Sequence, residues 1–206
     1  MNKSILTILL VLVLAMSCIP ATAEDAVSSA TVDVASFPAV AEHENAKVLV
    51  VYFSTNDTVK AVALTAAGAL EADVFEIVPE QPYTDADLAY YTNCRADKEQ
   101  ADSSARPGIA IWPESLEQYD VIFVGYPIWH GQAPRILYTL LEGIDVSGKT
   151  IVPFCTSASS GAGSSASNLE KVANGATWHK VKRIDNHSTT EQIQSWALSV
   201  LAETAK

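Results

Sequence analysis

Residues 47–63, KVLVVYFSTNDTVKAVA, constrain the fold more than any other stretch: they read as a buried strand, a hydroxyl-rich loop and the start of a helix in direct succession. Six of the seven residues 47–53 are Val, Leu or aromatic with no polar alternation. That is the pattern of a strand covered on both faces, as in parallel sheets. The loop then sets Ser54, Thr55, Asn56 and Thr58 at a helix N-terminus. The first amides of a helix have no internal partner and the helix dipole is positive there, so the place suits an anion such as a phosphate. The same residue types also serve as ordinary helix caps, and this stretch alone leaves both readings open.

The rest of the chain repeats the unit. A helix is predicted over residues 57–70, where Val59, Val62, Ala63, Ala66 and Leu70 recur at helical spacing, and a short strand over 73–78, closed by Pro79 and Pro82. Residues 83–109 form a polar insertion carrying Tyr90, Tyr91, Cys94, Arg95 and Arg106, with a helix expected over 85–101. The clearest strand is 120–126, DVIFVGY, followed by a helix over 134–141 whose Pro134 is tolerated in the first turn. A fourth strand is read over 150–155, although Pro153 within it weakens the strand signal. A helix over 165–173, a strand over 178–184 and a helix over 189–205 complete the pattern. Five alternations of strand and helix predict a three-layer, doubly wound α/β domain with a five-stranded parallel sheet over residues 47–206. Ligands of such sheets lie beyond the carboxyl ends of the strands, near the point where strand order reverses.

Three loops fall at those ends. The first is 54–58. The second, 126–135, reads Tyr-Pro-Ile-Trp-His-Gly-Gln-Ala-Pro-Arg and carries apolar rings where a loop is normally polar. An exposed Trp129 there would seek a flat apolar partner such as an aromatic ligand; packing against neighbouring loops is the alternative. The third, 156–165, is made of Thr, Ser, Ala and Gly, so a polar heterocycle or a phosphate could approach its amides closely.

The order Tyr-Phe-Ser…Thr, then Tyr-Pro-Ile-Trp-His-Gly-Gln-Ala-Pro, then Thr-Ser-x-Ser-Ser-Gly-x-Gly-Ser resembles the flavodoxin-like family, as do Arg95-Ala96-Asp97-Lys98-Glu99-Gln100 and Ala105-Arg106-Pro107 in the insertion. The resemblance implies strand order 2-1-3-4-5 with the cofactor FMN at the switch between strands one and three. It implies that Ser54, Thr55, Asn56 and Thr58 hold the FMN phosphate, that Pro127, Ile128, Trp129, His130 and Gly131 line the flavin ring, and that Thr156, Ser157, Ser159 and Gly161 meet its polar edge. His130 would tune the flavin by hydrogen bonding. The first loop departs from the family's Ser-x-Thr-Gly-Asn-Thr, being one residue shorter and without glycine. Asn56 is expected in the glycine's left-handed place, which Asn tolerates. Asp57 is the costly feature, since a carboxylate about 5 Å from a phosphate at an effective dielectric near 20 is repelled by roughly 3 kcal/mol per unit charge.

Composition narrows the partners. A net charge of -11 with no basic run excludes nucleic acid, whose phosphates require clustered Lys and Arg. Residues 1–23 have the order of a secretory signal: Lys3, an apolar run too short to span a bilayer, then Ala21-Thr22-Ala23. Cys18 after Ala15-Met16-Ser17 resembles a loose lipoprotein box and offers lipid anchoring instead; either exit leads out of the cytoplasm. Residues 24–46 read as a flexible tether. In that compartment Cys94 and Cys155 are either a disulfide or two free thiols. No zinc-binding spacing and no G-x-S-x-G elbow occurs. Three functions remain. The first is an FMN electron carrier serving redox proteins or small electron acceptors. The second is an NAD(P)H-dependent quinone or small-molecule reductase with Tyr90, Tyr91 or Arg95 near the substrate. The third is a binding module with a decayed flavin site.

Overall fold

The computed structural model describes residues 46–204. The expected leader, with Cys18, and the tether up to residue 45 lie outside the described residues. None of the described helices is long and apolar enough to cross a membrane.

Strands β1 (Val48–Tyr52), β2 (Asp73–Glu76), β3 (Val121–Pro127), β4 (Thr150–Thr156), β5 (Thr177–Trp178) and β6 (Lys182–Ile184) form one parallel sheet of order 2-1-3-4-5, with β6 continuing the line of β5 beside β4. Helices α1 (Asp57–Leu70), α2 (Arg95–Ala101), α3 (Arg135–Gly143), α4 (Ser165–Glu170) and α5 (Thr190–Thr204) complete the three layers. The strands alternate their side chains between two cores. Val48, Val50, Tyr52, Val121, Phe123, Val152 and Phe154 pack against α1 and α5, while Leu49, Val51, Phe53, Ile122, Val124, Tyr126 and Ile151 pack against α3, α4 and the insertion. With both faces apolar, β1 and β3 show no polar alternation in sequence.

Two predicted elements differ. The single helix expected over 85–101 is a short 3-10 turn at Ala86–Leu88 and a separate α2, because Tyr91 and Asn93 between them take positive φ (64° and 61°) that no helix accommodates. The fifth strand is broken into β5 and β6. Thr150 pairs with Thr177 and Ile151 with Trp178, whereas Phe154 pairs with Lys182, so one extra residue is inserted between them. The cause is Pro153. His179 N–H donates to the Ile151 carbonyl, and in an alternating ladder residue 153 is the next to face β5, but proline has no N–H to give. Pro153 thus sits in a central strand, paired with Val124 on its other side, at the place where the ladder bulges.

Candidate functional site

At the end of β1 the chain turns into α1 through Ser54, Thr55 and Asn56. Asn56 is the N-cap in extended geometry (φ -139°), and its Oδ1 accepts from the Thr58 amide at 3.2 Å. The left-handed Asn56 expected from the sequence is therefore not formed; the cap needs an extended residue, and the loop's missing glycine is not replaced by a left-handed one. Ser54 Oγ donates to the Asn56 carbonyl and braces the turn rather than facing outward. Asp57 is exposed in the first turn of α1.

Thr55, Asn56 and Thr58 open onto a cleft of about 310 Å³ that also receives Pro127, Ile128 and Trp129 from the end of β3, and Thr156, Ser157 and Ala158 from the end of β4. It lies where the strand order reverses between β1 and β3, and Asp57 is absent from its lining. Leu88 and Tyr90 of the insertion and Asn186, after β6, complete its lining. Leu88 and Asn186 carry no sequence signal for this role, since only the crossing of chain segments brings them here; Tyr90 stood out as an aromatic in a polar insertion.

Trp129 is 3% exposed. Of the two readings the sequence left open for Trp129, packing against neighbouring segments is the one formed: Phe53, Tyr83 and Tyr90 surround it edge-to-face, with centroids 5.5, 5.2 and 6.4 Å away. Such pairs contribute about 0.5–1.5 kcal/mol each beyond area burial, which outweighs leaving the ring in water for a ligand. Tyr83 is in turn fixed by the Arg95 guanidinium 4.1 Å above its ring, while Arg95 pairs with Glu99 at 2.7 Å. Trp129 and Gln132 exchange two backbone hydrogen bonds of 2.9 Å around His130 (φ 48°) and Gly131 (φ 74°), a tight two-residue turn with both central residues left-handed.

That turn carries His130 out of the cleft. Its Nε2 lies 2.8 Å from Asp97 Oδ1, and its ring packs on Tyr90 and Tyr91, so the flavin-facing role expected for it has no geometry here. Gly131, Ser159 and Gly161 also lie outside the cleft lining. Gly131 serves the turn, and the Ser157 Oγ accepts from the Ser160 amide at 3.0 Å, folding the segment that holds Ser159 back on itself. Arg183 Nη2 donates to the Ser157 carbonyl at 3.0 Å and fixes that loop to β6.

Gln100, marked in the sequence only as the end of the 95–100 motif and given no role there, is a buried anchor of the second loop. Its Nε2 donates to the carbonyls of Trp129 (3.1 Å) and Ala133 (3.2 Å), and its Oε1 accepts from the Arg135 amide at 3.1 Å, capping α3 where Pro134 offers no side-chain cap. Cys94 and Cys155 are buried free thiols. Burial pushes Cys155 up to about 11 against the opposing pull of Arg183.

The donor set suits FMN: hydroxyls and helix-start amides at one end, an apolar wall of Leu88, Pro127, Ile128 and Trp129, and Thr156, Ser157 and Asn186 at a polar edge. Among the described residues no Lys or Arg lines the cleft, so a phosphate there would depend on amides, hydroxyls and the dipole of α1.

A doubly wound parallel sheet of order 2-1-3-4-5 with a cleft at its switch point defines the class of fold. The comparisons make the class particular. A family model described as flavodoxin matches residues 47–200, and the chain belongs to the flavodoxin family. A crystal structure from Bacteroides eggerthii, of a protein assigned as a flavoprotein, is 40% identical, covering 77% of this chain and 99% of its own, with a TM-score of 0.71. A second from Bacteroides uniformis, assigned likewise, is 36% identical over 74% of this chain and 98% of its own, with a TM-score of 0.70. A flavoprotein from Lactobacillus acidophilus, solved in complex with FMN, shares the fold at 24% identity over 67% of this chain and 93% of its own, with a TM-score of 0.59. Comparison with curated protein sequences gave no match.

Proposed function

We propose that this protein binds FMN non-covalently in the cleft at the ends of β1, β3 and β4 and carries electrons between redox partners outside the cytoplasm. The observation that carries the reading is the convergence of three chemically distinct loops on one cleft of about 310 Å³ at the switch point of a flavodoxin-family sheet. Thr55, Thr58 and the first amides of α1 would hold the phosphate, with Asn56 releasing the Thr58 amide it caps in the free protein. Ile128, Pro127, Leu88 and the edge of Trp129 would bound the flavin ring, and Thr156, Ser157 and Asn186 would meet its polar edge. Bound FMN supplies reversible electron transfer; the protein supplies orientation and electrostatics. The acidic charge of -11 disfavours extra negative charge on a reduced flavin and steers basic partners.

The alternative, an NAD(P)H-dependent reductase on the same fold, is separated from a carrier by activity and not by the fold. Mature protein mixed with FMN and then dialysed should remain yellow, and the loaded protein should not oxidise NADH or NADPH with a quinone present. Colourless protein after dialysis contradicts FMN binding, and rapid nucleotide oxidation converts the assignment to a reductase. Mass of the mature N-terminus tests export, with cleavage after Ala23 or lipidation at Cys18 as the supporting results.

A further inference from the structure

The cleft as described leaves Asp97 without a task, yet this carboxylate is the most heavily bonded in the chain's insertion. Its Oδ1 accepts from the Tyr91 amide at 3.3 Å and meets His130 Nε2 at 2.8 Å. Its Oδ2 accepts from the amides of Thr92 at 3.1 Å and Cys94 at 3.2 Å. Only the Cys94 bond belongs to ordinary helix capping, in which Asp97 also donates its amide to Cys94 Sγ at 3.5 Å. The other three reach into two different segments that wall the cleft. One is the run from Leu88 to Asn93, whose Leu88 and Tyr90 line it; the other is the Trp129–Gln132 turn, whose Trp129 lines it.

Both segments are strained. Among the described residues the non-glycine positions with positive φ are Glu71, Tyr91, Asn93 and His130, and the last three all lie in the two segments that Asp97 joins. Such conformations persist only where the surroundings over-determine them, and they cluster at sites where geometry matters. Tyr91 in particular is 89% exposed, its ring meeting only the edges of Tyr90 and His130, so burial of its side chain does not explain its backbone. Rings bridge the junction as well: Tyr90 lies 5.1 Å from His130 and 6.4 Å from Trp129 by centroids.

We propose that Asp97 is a positioning residue of the flavin cleft, tying the Leu88–Asn93 wall to the Trp129–Gln132 turn so that Tyr90 and Trp129 face the same flavin. The assignment rests on the FMN reading for its ligand and on hydrogen bonds alone for the tie. It accounts for the aspartate within Arg95-Ala96-Asp97-Lys98-Glu99-Gln100, while Gln100, three residues further along α2, secures the same turn through the carbonyls of Trp129 and Ala133. Burial alone would raise the Asp97 carboxyl; the Tyr91 amide, His130 and Cys94 outweigh it and hold the group below the usual range, so it stays ionised as an acceptor at neutral pH.

Two substitutions separate positioning from capping. His130→Asn leaves the capping box intact and keeps a residue that tolerates the left-handed place in the turn, removing the Asp97 bond together with the ring contacts to Tyr90 and Tyr91 that cross the same junction. Asp97→Ala removes everything. Asp102→Ala, whose carboxylate bonds only Ser104, is the control. In the full chain without FMN, hydrogen exchange of the Tyr91 and Thr92 amides should quicken at least about tenfold in Asp97→Ala and measurably in His130→Asn, with Asp102→Ala unchanged. With FMN, dissociation constants should rise at least about threefold in His130→Asn at an unchanged melting temperature. The fluorescence of bound FMN, quenched by nearby rings in the parent, should recover toward that of free FMN, as it should in Tyr90→Leu. Unchanged exchange in both variants overturns the tie. Altered exchange with parental FMN affinity and fluorescence overturns the positioning role. If the parent itself binds no FMN, the FMN reading fails, and the exchange result alone then upholds or overturns the tie.

Discussion

At the scale of single residues, Asp57 and Asn56 divide the work of the first loop. Asp57 is exposed at the start of α1 and outside the cleft lining, so most of the roughly 3 kcal/mol repulsion estimated for a carboxylate 5 Å from a phosphate should be screened. Asp57→Asn is expected to tighten FMN binding by less than about tenfold, and the gain should vanish in 1 M salt, where the screening length is about 3 Å. Fluorescence titration at low and high salt checks this; a gain of a hundredfold that survives salt would place the carboxylate against the phosphate. Asn56 instead holds the helix start, and Asn56→Ala should lower stability by about 1 kcal/mol in urea unfolding, the ordinary value of an N-cap. Cys155 gives a third test. With its thiol pushed up to about 11 and fully buried, it should resist alkylation at pH 8 in the native protein and react only on unfolding. The cleft residues that were legible in sequence, Thr55, Asn56, Thr58, Pro127, Ile128, Trp129, Thr156 and Ser157, all lie at or within a few residues of a strand's carboxyl end. Those that were not, Leu88 and Asn186, come from segments whose position depends on tertiary packing. The outward turn of His130 was equally hidden, because a Trp-His-Gly-Gln string does not announce that His130 and Gly131 are both left-handed.

At the scale of elements, close approach between β3 and β4 limits what each can carry. A Cβ on Gly125 would run into the ring of Phe154, which is fully buried between β4 and Trp196 of α5. Gly125→Ala should cost about 1–3 kcal/mol by overpacking, measured as a fall in the urea midpoint, whereas Gly68→Ala in α1, with open space around it, should be neutral or stabilising. The elements themselves were legible to different degrees for physical reasons. β1, β3 and α1 were readable since covered strands give unbroken apolar runs and an amphipathic helix gives a 3.6 period. The split of the fifth strand follows from Pro153 on its neighbour, information that sits in another part of the chain. The break between Leu88 and Arg95 depends on the bonds that Asp97 makes back to Tyr91 and Thr92, which a polar composition alone cannot reveal.

At the scale of the whole molecule, the pH dependence of stability follows from which groups folding perturbs. Asp102, bonded by Ser104, and Glu142, paired with Arg106, are held below their ordinary values of 3.8 and 4.5, as are Asp97, Asp145 and Asp185. Their contribution is present above those values and is lost as pH falls through the depressed ones, so urea midpoints should fall modestly below about pH 4, since solvent screens these surface groups. On the alkaline side the sign reverses. Cys155 is raised from 9.0 to about 11, and burial also raises Tyr52, Tyr83, Tyr90 and Tyr126, so stability present below 9.0 should be lost progressively above it. Stability that instead rose from pH 9 to 11 would contradict the burial of these groups. The sheet order brings the three loops together whatever the details of the insertion, and the central claim concerns what that convergence holds. Titrating the same preparation with FMN and with riboflavin tests it most directly, because the two ligands differ only in the phosphate that the start of α1 is assigned. The account predicts one FMN per chain and riboflavin bound at least about tenfold more weakly, a difference of about 1.4 kcal/mol. No FMN binding, or equal affinity for the two, would contradict it.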